Sequence, residues 1–430
     1  MFRVAPAAQQ RSPAASKTVL ARELLRNECR PFYAGLRVIG RAQRLLGCCF
    51  LENLASADPQ RVRAKRASLY LLYPLCIWCY HLTVGVTLFV DSERHKHAMR
   101  DTDRLNKTIF IAFMAALTVE AALNNVLLLV QAPKFVELLR ICGFIELQTA
   151  VPPYVQRQTV RFAWAMVTFQ VAAVILNVAL NVHSHFGTML LAEDGRQLDP
   201  LVMNLAVSNG FVGVVYLSAM CLSTRLLLMY ISRAVALYLG CIYRNLDQCL
   251  RSRSTPESRK VLLVDHMRVQ LALLKNCVDL ASSLLGPSLL YAYAYSVAIL
   301  CAAAYYTIIP ELEFRVRLFF FFFGSLHWLS VLLPTVTTHR MKGAVIDLRS
   351  AVQGVSMADY SDDLLAQLRM MLNSMKHDDL RFTGCGFFVV DLSTFADIMG
   401  AVITYTVVLV QTNESYLRGS LEQCTNHTIA

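Results

Sequence analysis

The chain has 430 residues, of which 56% are hydrophobic and 17% are charged, and its mean hydropathy is +0.45. Soluble domains carry about a quarter charged residues, so this composition excludes an ordinary soluble domain and favours an integral membrane protein. The formal net charge of +11 is typical of nucleic-acid binding in a soluble protein, but here the basic residues fall between apolar runs, which indicates membrane orientation instead.

Seven apolar runs are long enough to cross about 30 Å of hydrocarbon as helices. The sequence therefore predicts an all-α protein with seven transmembrane helices, preceded by a segment of residues 1–67. The predicted spans are residues 68–90, 108–130, 162–182, 203–230, 284–309, 318–337 and 393–411. Arg225 lies near one end of the long fourth run, where we expect its side chain to snorkel toward water.

The distribution of Lys and Arg predicts the orientation of the spans. The N-terminal segment and the second, fourth and sixth connections carry 31 of them, whereas the alternate connections and the C-terminal tail carry 9, and Arg225 completes the 41. Cytosolic connections are the ones enriched in Lys and Arg. The N-terminus is therefore predicted in the cytosol and residues 412–430 form a short extracellular tail.

The N-x-S/T sequons give a second and independent signal. They begin at Asn106, Asn413 and Asn426, and all three fall in segments that the charge distribution assigns to the outside. These asparagines are the candidate glycosylation sites, and their position agrees with the predicted topology.

Two cytosolic connections have helical patterning of their own. In residues 231–283 and 338–392, apolar residues recur at spacings of three and four, as in Leu364, Leu368 and Met371. This spacing indicates helices that bury one face. We expect them to be inward extensions of spans four to six, and residues 338–392 to form a cytosolic helical anchor.

The seventh span carries a stripe of small and polar residues. Asp397, Gly400, Thr404, Val408 and Gln411 recur at spacings of three and four, so they share one helical face. A pore needs such a face, and several copies of the chain around an axis would be required to close it. The pattern is equally compatible with hydrogen bonds between packed helices.

Two segments near the C-terminus resemble the signature of the insect gustatory receptors. Residues 386–391 (GFFVVD) match its glycine-phenylalanine stretch and acid, and residues 404–411 (TYTVVLVQ) match its Thr-Tyr pair, hydrophobic stretch and glutamine. Thr404, Tyr405 and Gln411 are the motif residues. Chain length, seven spans, orientation and a short external tail also fit this family of chemoreceptors, which is related to the insect odorant receptors.

The resemblance implies a homo- or hetero-tetrameric cation channel lined by residues 393–411. It also implies that Gln411 and its neighbour form an extracellular gate. The chain departs from the signature there, because Thr412 replaces the expected phenylalanine and Thr406 stands at the first hydrophobic position. A small polar Thr412 leaves open whether the gate closes by dewetting.

The resemblance also implies a tastant pocket inside each subunit, within residues 68–337. The predicted topology restricts it to the outer halves of the spans, and such a pocket needs apolar walls with a few fixed polar groups. The candidates are Asn177, Asn181, Tyr305, Tyr306, His327 and Trp328. For each of them, simple helix packing is an alternative role.

Glu120 and Asn124 lie four residues apart on one face of the second span. A carboxylate in the middle of a membrane is costly unless it is paired or hydrated, which makes Glu120 a functional candidate. A protonated Glu120 bonded to Asn124 fits the same spacing.

The resemblance implies that the chain is a gustatory receptor in the plasma membrane of a chemosensory dendrite. It would act there as a ligand-gated, non-selective cation channel. Its partners would be a small tastant, monovalent cations with divalent cations left open, membrane lipid and other gustatory receptor subunits. Bitter compounds, sugars, other nutrients and carbon dioxide remain open as ligands. Sugar-responding members of the family that the chain resembles tend to carry an acid just after the Thr-Tyr pair, and the resemblance therefore weakly disfavours a sugar, because Thr406 stands there. We expect no cofactor, metal, nucleic-acid partner or enzymatic activity.

Other functions fit the sequence less well. An odorant-receptor-type channel subunit shares the architecture, but the Thr-Tyr…Gln ending favours the gustatory branch. A G-protein-coupled receptor predicts an external N-terminus, which is opposite to the distribution of basic residues. A secondary transporter predicts internal repeats, and none is evident in the sequence.

Overall fold

The computed structural model describes residues 30–45, 51–54, 61–64, 71–94, 101–148, 151–184, 200–309, 312–355, 360–375 and 380–428. Helices dominate these residues, and the two short strands β1 (Leu51–Glu52) and β2 (Arg63–Ala64) pair in antiparallel fashion. The helices are α1 (Pro31–Leu45), α2 (Leu72–Arg94), α3 (Asp101–Val130), α4 (Ala132–Gln148), α5 (Pro153–Ser184), α6 (Pro200–Arg251), α7 (Glu257–Ile308), α8 (Phe314–Gln353), α9 (Asp362–Ser374) and α10 (Leu392–Thr428).

Each of the seven predicted spans falls on one of these helices. Among the described residues, five stretches are long and apolar enough to cross a membrane by themselves: Pro153–Leu180, Phe211–Arg251, Glu257–Ile308, Phe314–Gln353 and Leu392–Thr412. The second predicted span belongs to a bent pair of helices, and the first is represented by a shorter apolar stretch, Leu72–Val86. The chain is therefore a helical protein with several membrane-span-like helices.

The bent pair consists of Ala115–Val130 and Ala132–Glu146, which meet at 63°. Pro133 explains the break, because proline has no N–H to bond to the preceding turn and its ring disfavours helical geometry at the residue before it. The first member ends at Val130, where the apolar run of the sequence also ends. The chain then turns into α4, which packs against α7.

Helices α6 and α7 have 52 residues each and α8 has 40. At 1.5 Å per residue, α6 and α7 are about 78 Å long, more than twice the thickness of the hydrocarbon core. The long parts of α6 and α7 beyond the predicted spans lie in the fourth connection, and the corresponding part of α8 lies in the sixth, as the sequence predicted. Helix α9 packs against α7 with Leu364, Leu368 and Met371 buried, so this end of the bundle is continuous with the main apolar core.

The N-terminal segment contains a helix that the span analysis did not predict. Helix α1 buries Phe32, Leu36 and Ile39 on one face and packs mainly against α5. The buried Glu146 carboxylate of α4 accepts the Phe32 N–H at 2.6 Å. Tyr238 of α6 donates its hydroxyl to the same Glu146 oxygen at 2.5 Å, so one carboxylate joins α1, α4 and α6.

Helix α10 continues beyond the apolar run that defined the last span. The sequence analysis ended that span at Gln411 and made residues 412–430 a tail, whereas the helix continues to Thr428. Residues 412–428 contain polar residues but no proline, so hydropathy falls there without a strong helix breaker. The end of the hydrophobic run is therefore not the end of the helix.

Candidate functional site

The polar stripe of the last span lies on the open face of α10. Asp397, Gly400, Thr404, Val408 and Gln411 are all exposed, and Thr412 beyond them is exposed as well. The opposite face of the helix packs against α7 and α8 and buries Ile398, Val402 and Thr406. The stripe therefore faces away from its own bundle.

The hydroxyl groups of Thr404 and Thr412 form local hydrogen bonds. The Thr404 hydroxyl donates to the Gly400 carbonyl at 2.9 Å, and the Thr412 hydroxyl donates to the Val408 carbonyl at 2.8 Å. These bonds lie within one helix, which is the usual way for a threonine to satisfy its hydroxyl in a helix. Neither threonine holds α10 against the rest of the chain.

A loop of residues 380–391, here called the hinge loop, leads directly into α10. It turns back at Cys385 and Gly386, whose φ angles are +53° and +82°, and it is closed by the bond from the Val390 N–H to the Phe382 carbonyl at 2.9 Å. Positive φ is easy for Gly386 because glycine has no Cβ. The GFFVVD segment thus forms a compact turn immediately before the striped helix.

Asp391 caps α10. Its Oδ1 atom accepts the Ser393 hydroxyl at 2.6 Å, the Ser393 N–H at 3.1 Å and the Thr394 N–H at 3.3 Å, and Lys342 lies 3.6 Å from Oδ2. Partial burial raises the pKa of Asp391, but these hydrogen bonds and Lys342 outweigh it and hold the pKa below its usual range. A carboxylate here also favours the positive end of the helix dipole.

Two contacts fix the hinge loop to the long helices. The Thr338 hydroxyl of α8 donates to the Val390 carbonyl at 2.6 Å. The Tyr293 ring of α7 packs against the Phe388 ring, with 5.3 Å between centroids. These contacts therefore join α7 and α8 to the loop that leads into α10.

A small cavity lies among α3, α5, α6 and α8, and its volume is about 40 Å³. Two of the six predicted pocket residues, Asn177 and His327, line it. Asn177 donates to the Ser218 hydroxyl at 3.2 Å, and His327 Nε2 lies 3.0 Å from the Ser296 hydroxyl. The full lining is Leu117, Ala173, Asn177, Ser218, Cys221, Leu222, Arg225, Phe323, Leu326, His327 and Ser330.

The other predicted pocket residues lie elsewhere. Tyr305 and Tyr306 are buried in a neighbouring cluster and do not line the cavity, and the Tyr306 ring stacks on Phe320 at 4.4 Å. Trp328 is 37% exposed and packs edge-on against Phe395 of α10 at 5.7 Å. The side chains of Asn181 and of the sequon residues Asn106, Asn413 and Asn426 fall outside the part of the chain that the structure describes.

One residue of the cavity lining, Arg225, belongs to a buried ion pair. Arg225 Nη2 lies 2.7 Å from Glu120 Oε1, and the two side chains are 2% and 1% exposed. Arg225 Nη1 also donates to the Ser330 hydroxyl at 2.5 Å. The expected snorkelling of Arg225 was wrong, because Glu120 and Ser330 hold its two terminal nitrogens inside the bundle.

Asn124 has partners other than Glu120. It donates to the Met220 carbonyl at 3.3 Å and accepts the Ser288 hydroxyl, so it ties α3 to α6 and α7. The structure thus pairs Glu120 with Arg225 and not with the neighbour on its own helix. Spacing on one helix could not reveal this pair, because its members are 105 positions apart.

Both the sequence and the fold of the chain are similar to those of known proteins. The sequence matches the model of the 7tm chemosensory receptor family over residues 36–415. The fold is similar to that of the insect olfactory receptor OR5 from Machilis hrabei, with a TM-score of 0.61 and 13% identity over 87% of this chain and 97% of that chain. The same receptor in complex with eugenol gives a TM-score of 0.56 and 14% identity over the same shares. No curated protein matches the sequence.

Proposed function

Because the chain belongs to the 7tm chemosensory receptor family, we propose that it is a gustatory receptor acting as a ligand-gated, non-selective cation channel. In this proposal, a small tastant binds within each subunit and the open channel depolarises the dendrite of a chemosensory neuron. The observation that carries the proposal is the exposed stripe on α10, a polar face on an apolar helix that its own bundle leaves uncovered.

A ring of several subunits gives that stripe a physical role. Four copies of α10 around an axis would bring their stripes together around a water-filled path, and the flanking apolar residues would meet neighbours or lipid. Asp397 and Gln411 lie 14 residues apart, or about 21 Å along the helix. A ring of Asp397 carboxylates favours cations at one end, and a ring of Gln411 and Thr412 narrows the other.

Orientation follows from the basic residues. The 31-to-9 distribution of Lys and Arg supports a cytosolic N-terminus, seven spans and an external C-terminus. In that orientation Gln411 and Thr412 face the outside, and the extensions of α6, α7 and α8 form a cytosolic anchor. The hinge loop then lies on the cytosolic side.

The cavity beside Asn177 and His327 is the proposed tastant site. Its volume of about 40 Å³ holds only a few water molecules, so side chains such as Phe323 must move to admit a larger compound. Helix α8 links this cavity to the pore helix, because it carries His327 as well as Trp328, which contacts Phe395 of α10. Ligand binding would thereby bias the position of α10.

An odorant-receptor-type channel subunit is the second candidate. It is favoured by the similarity of the fold to an olfactory receptor, one structure of which contains eugenol. The Thr-Tyr…Gln ending favours the gustatory assignment. A panel of volatile and non-volatile compounds separates the two, since they differ in the ligand and not in the channel.

The test is whole-cell current in cells that express this chain alone with a tag at Ala430. External staining of the tag before permeabilisation, together with cation current altered by Gln411→Ala, is the expected result. An external tag without current under a broad tastant panel would indicate a required partner subunit. A tag that is stained only after permeabilisation would overturn the orientation and the proposal with it.

A further inference from the structure

A second and larger cavity lies between α7 and the hinge loop. Its volume is about 390 Å³, within the usual range for small-molecule sites, and it shares no lining residue with the proposed tastant cavity. Its lining is Asp279, Ser282, Ser283, Gly286, Pro287, Arg381, Thr383 and Cys385.

Backbone features maintain this cavity. Gly286 allows the hinge loop to approach α7, since a Cβ there would lie 3.1 Å from the Cys385 backbone nitrogen. Pro287, the next residue, interrupts the hydrogen bonding of α7. The Ser282 hydroxyl accepts the Thr383 N–H at 3.1 Å and fixes the loop on the other side. Local geometry thus holds the loop beside the helix.

The lining is rich in groups that donate hydrogen bonds to phosphate. Arg381 contributes a guanidinium and Ser283 a hydroxyl, while the Ser282 and Thr383 hydroxyls lie 3.2 Å apart and bond to each other. The Lys134 ammonium of α4 donates to the Ser283 hydroxyl at 2.9 Å, so a second cation lies at the rim. Guanidinium, ammonium and hydroxyl donors together are typical of phosphate recognition.

Asp279 narrows the class of ligand. As the one acid in the described lining, it would repel a bare anion. It would instead accept a hydrogen bond from an amine or hydroxyl next to the phosphate. The combination of Arg381 and Asp279 therefore fits a phosphate ester that carries a donor group.

We propose that this cavity binds a phosphate ester bearing an amine or hydroxyl, with Arg381 and Lys134 on the phosphate and Asp279 on the donor. In the proposed topology Ser283 lies at the cytosolic start of the fifth span, at the depth of the headgroups of the inner leaflet. Such a group is available there as a phospholipid headgroup or as a soluble phosphate ester of the cytosol.

The cavity is positioned to influence the pore helix. Arg381 and Thr383 belong to the hinge loop, which enters α10 at Asp391. A ligand that holds the loop against α7 would favour one position of α10 over another. This regulatory consequence rests on the proposed channel function, whereas binding itself does not.

The experiment measures binding to the purified full-length protein, independently of current. Native mass spectrometry counts the lipid retained from nanodiscs of phosphatidylcholine alone or mixed with phosphatidylethanolamine or phosphatidylinositol. The last two lipids carry donor groups on the headgroup, whereas phosphatidylcholine carries none. Soluble phosphoethanolamine and inorganic phosphate are added as competitors.

The expected result is preferential retention of phosphatidylethanolamine or phosphatidylinositol over phosphatidylcholine. Arg381→Gln is expected to weaken binding roughly tenfold or more, because it removes a charge-assisted hydrogen bond. Lys134→Gln is a second variant, useful if Arg381→Gln fails to fold. The matched control is Arg259→Gln, an exposed guanidinium on α7 outside the cavity lining.

Competition separates the two sources of phosphate. Lipid retention that phosphoethanolamine does not reduce assigns the cavity to a headgroup, and stabilisation by phosphoethanolamine in detergent without lipid assigns it to a soluble ester. Equal retention of phosphatidylcholine, together with no response to phosphoethanolamine, would overturn the proposal. An effect of Arg381→Gln and Lys134→Gln no larger than that of Arg259→Gln would also overturn it.

Discussion

Glu120 and Arg225 form an ion pair of 2.7 Å between two helices, and both side chains are at most 2% exposed. Arg225 of this pair lines the cavity that Asn177 and His327 also line. Charges inside an apolar bundle persist only when they satisfy one another. This pair therefore fixes the relative position of α3 and α6 at the proposed tastant site.

Replacing one member of the Glu120–Arg225 pair should lower the free energy of unfolding more than replacing both. Glu120→Leu and Arg225→Met are each expected to lower stability by about 3–5 kcal/mol, because each leaves a buried charge alone, while the double variant should cost much less. Thermal unfolding of the detergent-purified protein measures this. The control is Asp265→Asn, which breaks an exposed pair with Arg268 and should cost at most about 1 kcal/mol. Additive losses in the double variant would contradict the account.

The proposed tastant cavity predicts a selective effect on ligand response. Asn177→Leu should raise the half-maximal ligand concentration by roughly two- to tenfold, the value of one neutral hydrogen bond. The matched control is Asn125→Leu, since Asn125 also donates to a hydroxyl, that of Tyr216 at 3.0 Å, but does not line the cavity. Dose–response curves of whole-cell current measure both variants. Equal shifts would remove the cavity from consideration as the ligand site.

Two glycine substitutions test the fit of the hinge loop. Gly286→Ala should destabilise the protein by about 1–3 kcal/mol and shift the ligand response, because the new methyl group meets the Cys385 backbone. Gly343→Ala on α8 has nothing within 4 Å of the added Cβ and should stabilise by about 0.5–1 kcal/mol. Thermal unfolding and dose–response curves provide the comparison. Similar behaviour of both variants would show that the loop is not held as described.

The Asp391 cap predicts a defined dependence on pH. Asp391→Ala should lower stability by about 1 kcal/mol at neutral pH, since it removes the acceptor at the start of α10. The pKa of this carboxyl is held below its usual range, so its contribution is present above that range and is lost as pH falls through the lowered value. The difference in unfolding midpoint between wild type and variant should thus be unchanged down to about pH 5. A difference that already disappears above that pH would show that the ionised Asp391 carboxylate does not stabilise the start of α10.

Much of the architecture could be predicted from the sequence. Hydropathy located a helix for each of the seven spans, and the apolar spacing of Leu364, Leu368 and Met371 correctly predicted a helix that buries one face. The shared face of Asp397, Gly400 and Thr404 follows from helical periodicity, and the structure leaves that face open. Patterns within one helix are predictable because they depend on local geometry alone.

Contacts between residues that are far apart in the sequence could not be predicted in this way. Arg225 was placed at a water-accessible end because nothing in the sequence connects it to Glu120. Tyr305 and Tyr306 were grouped with His327 because they share a predicted depth, yet their side chains pack into the cluster that contains Phe320 and do not line the cavity. Helix α1 was overlooked, although the spacing of Phe32, Leu36 and Ile39 is a signal for it.

Cysteine accessibility along α10 tests the central claim most directly. Thr404→Cys and Gln411→Cys place thiols on the stripe, and Ile403→Cys places one on a flank that is 63% exposed in the single chain. If several copies of α10 surround a pore, a charged methanethiosulfonate reagent will reduce the ligand-evoked current through the two stripe variants and leave the Ile403→Cys variant unaffected. Equal modification at position 403, or no effect at either stripe position, would contradict a pore lined by this helix.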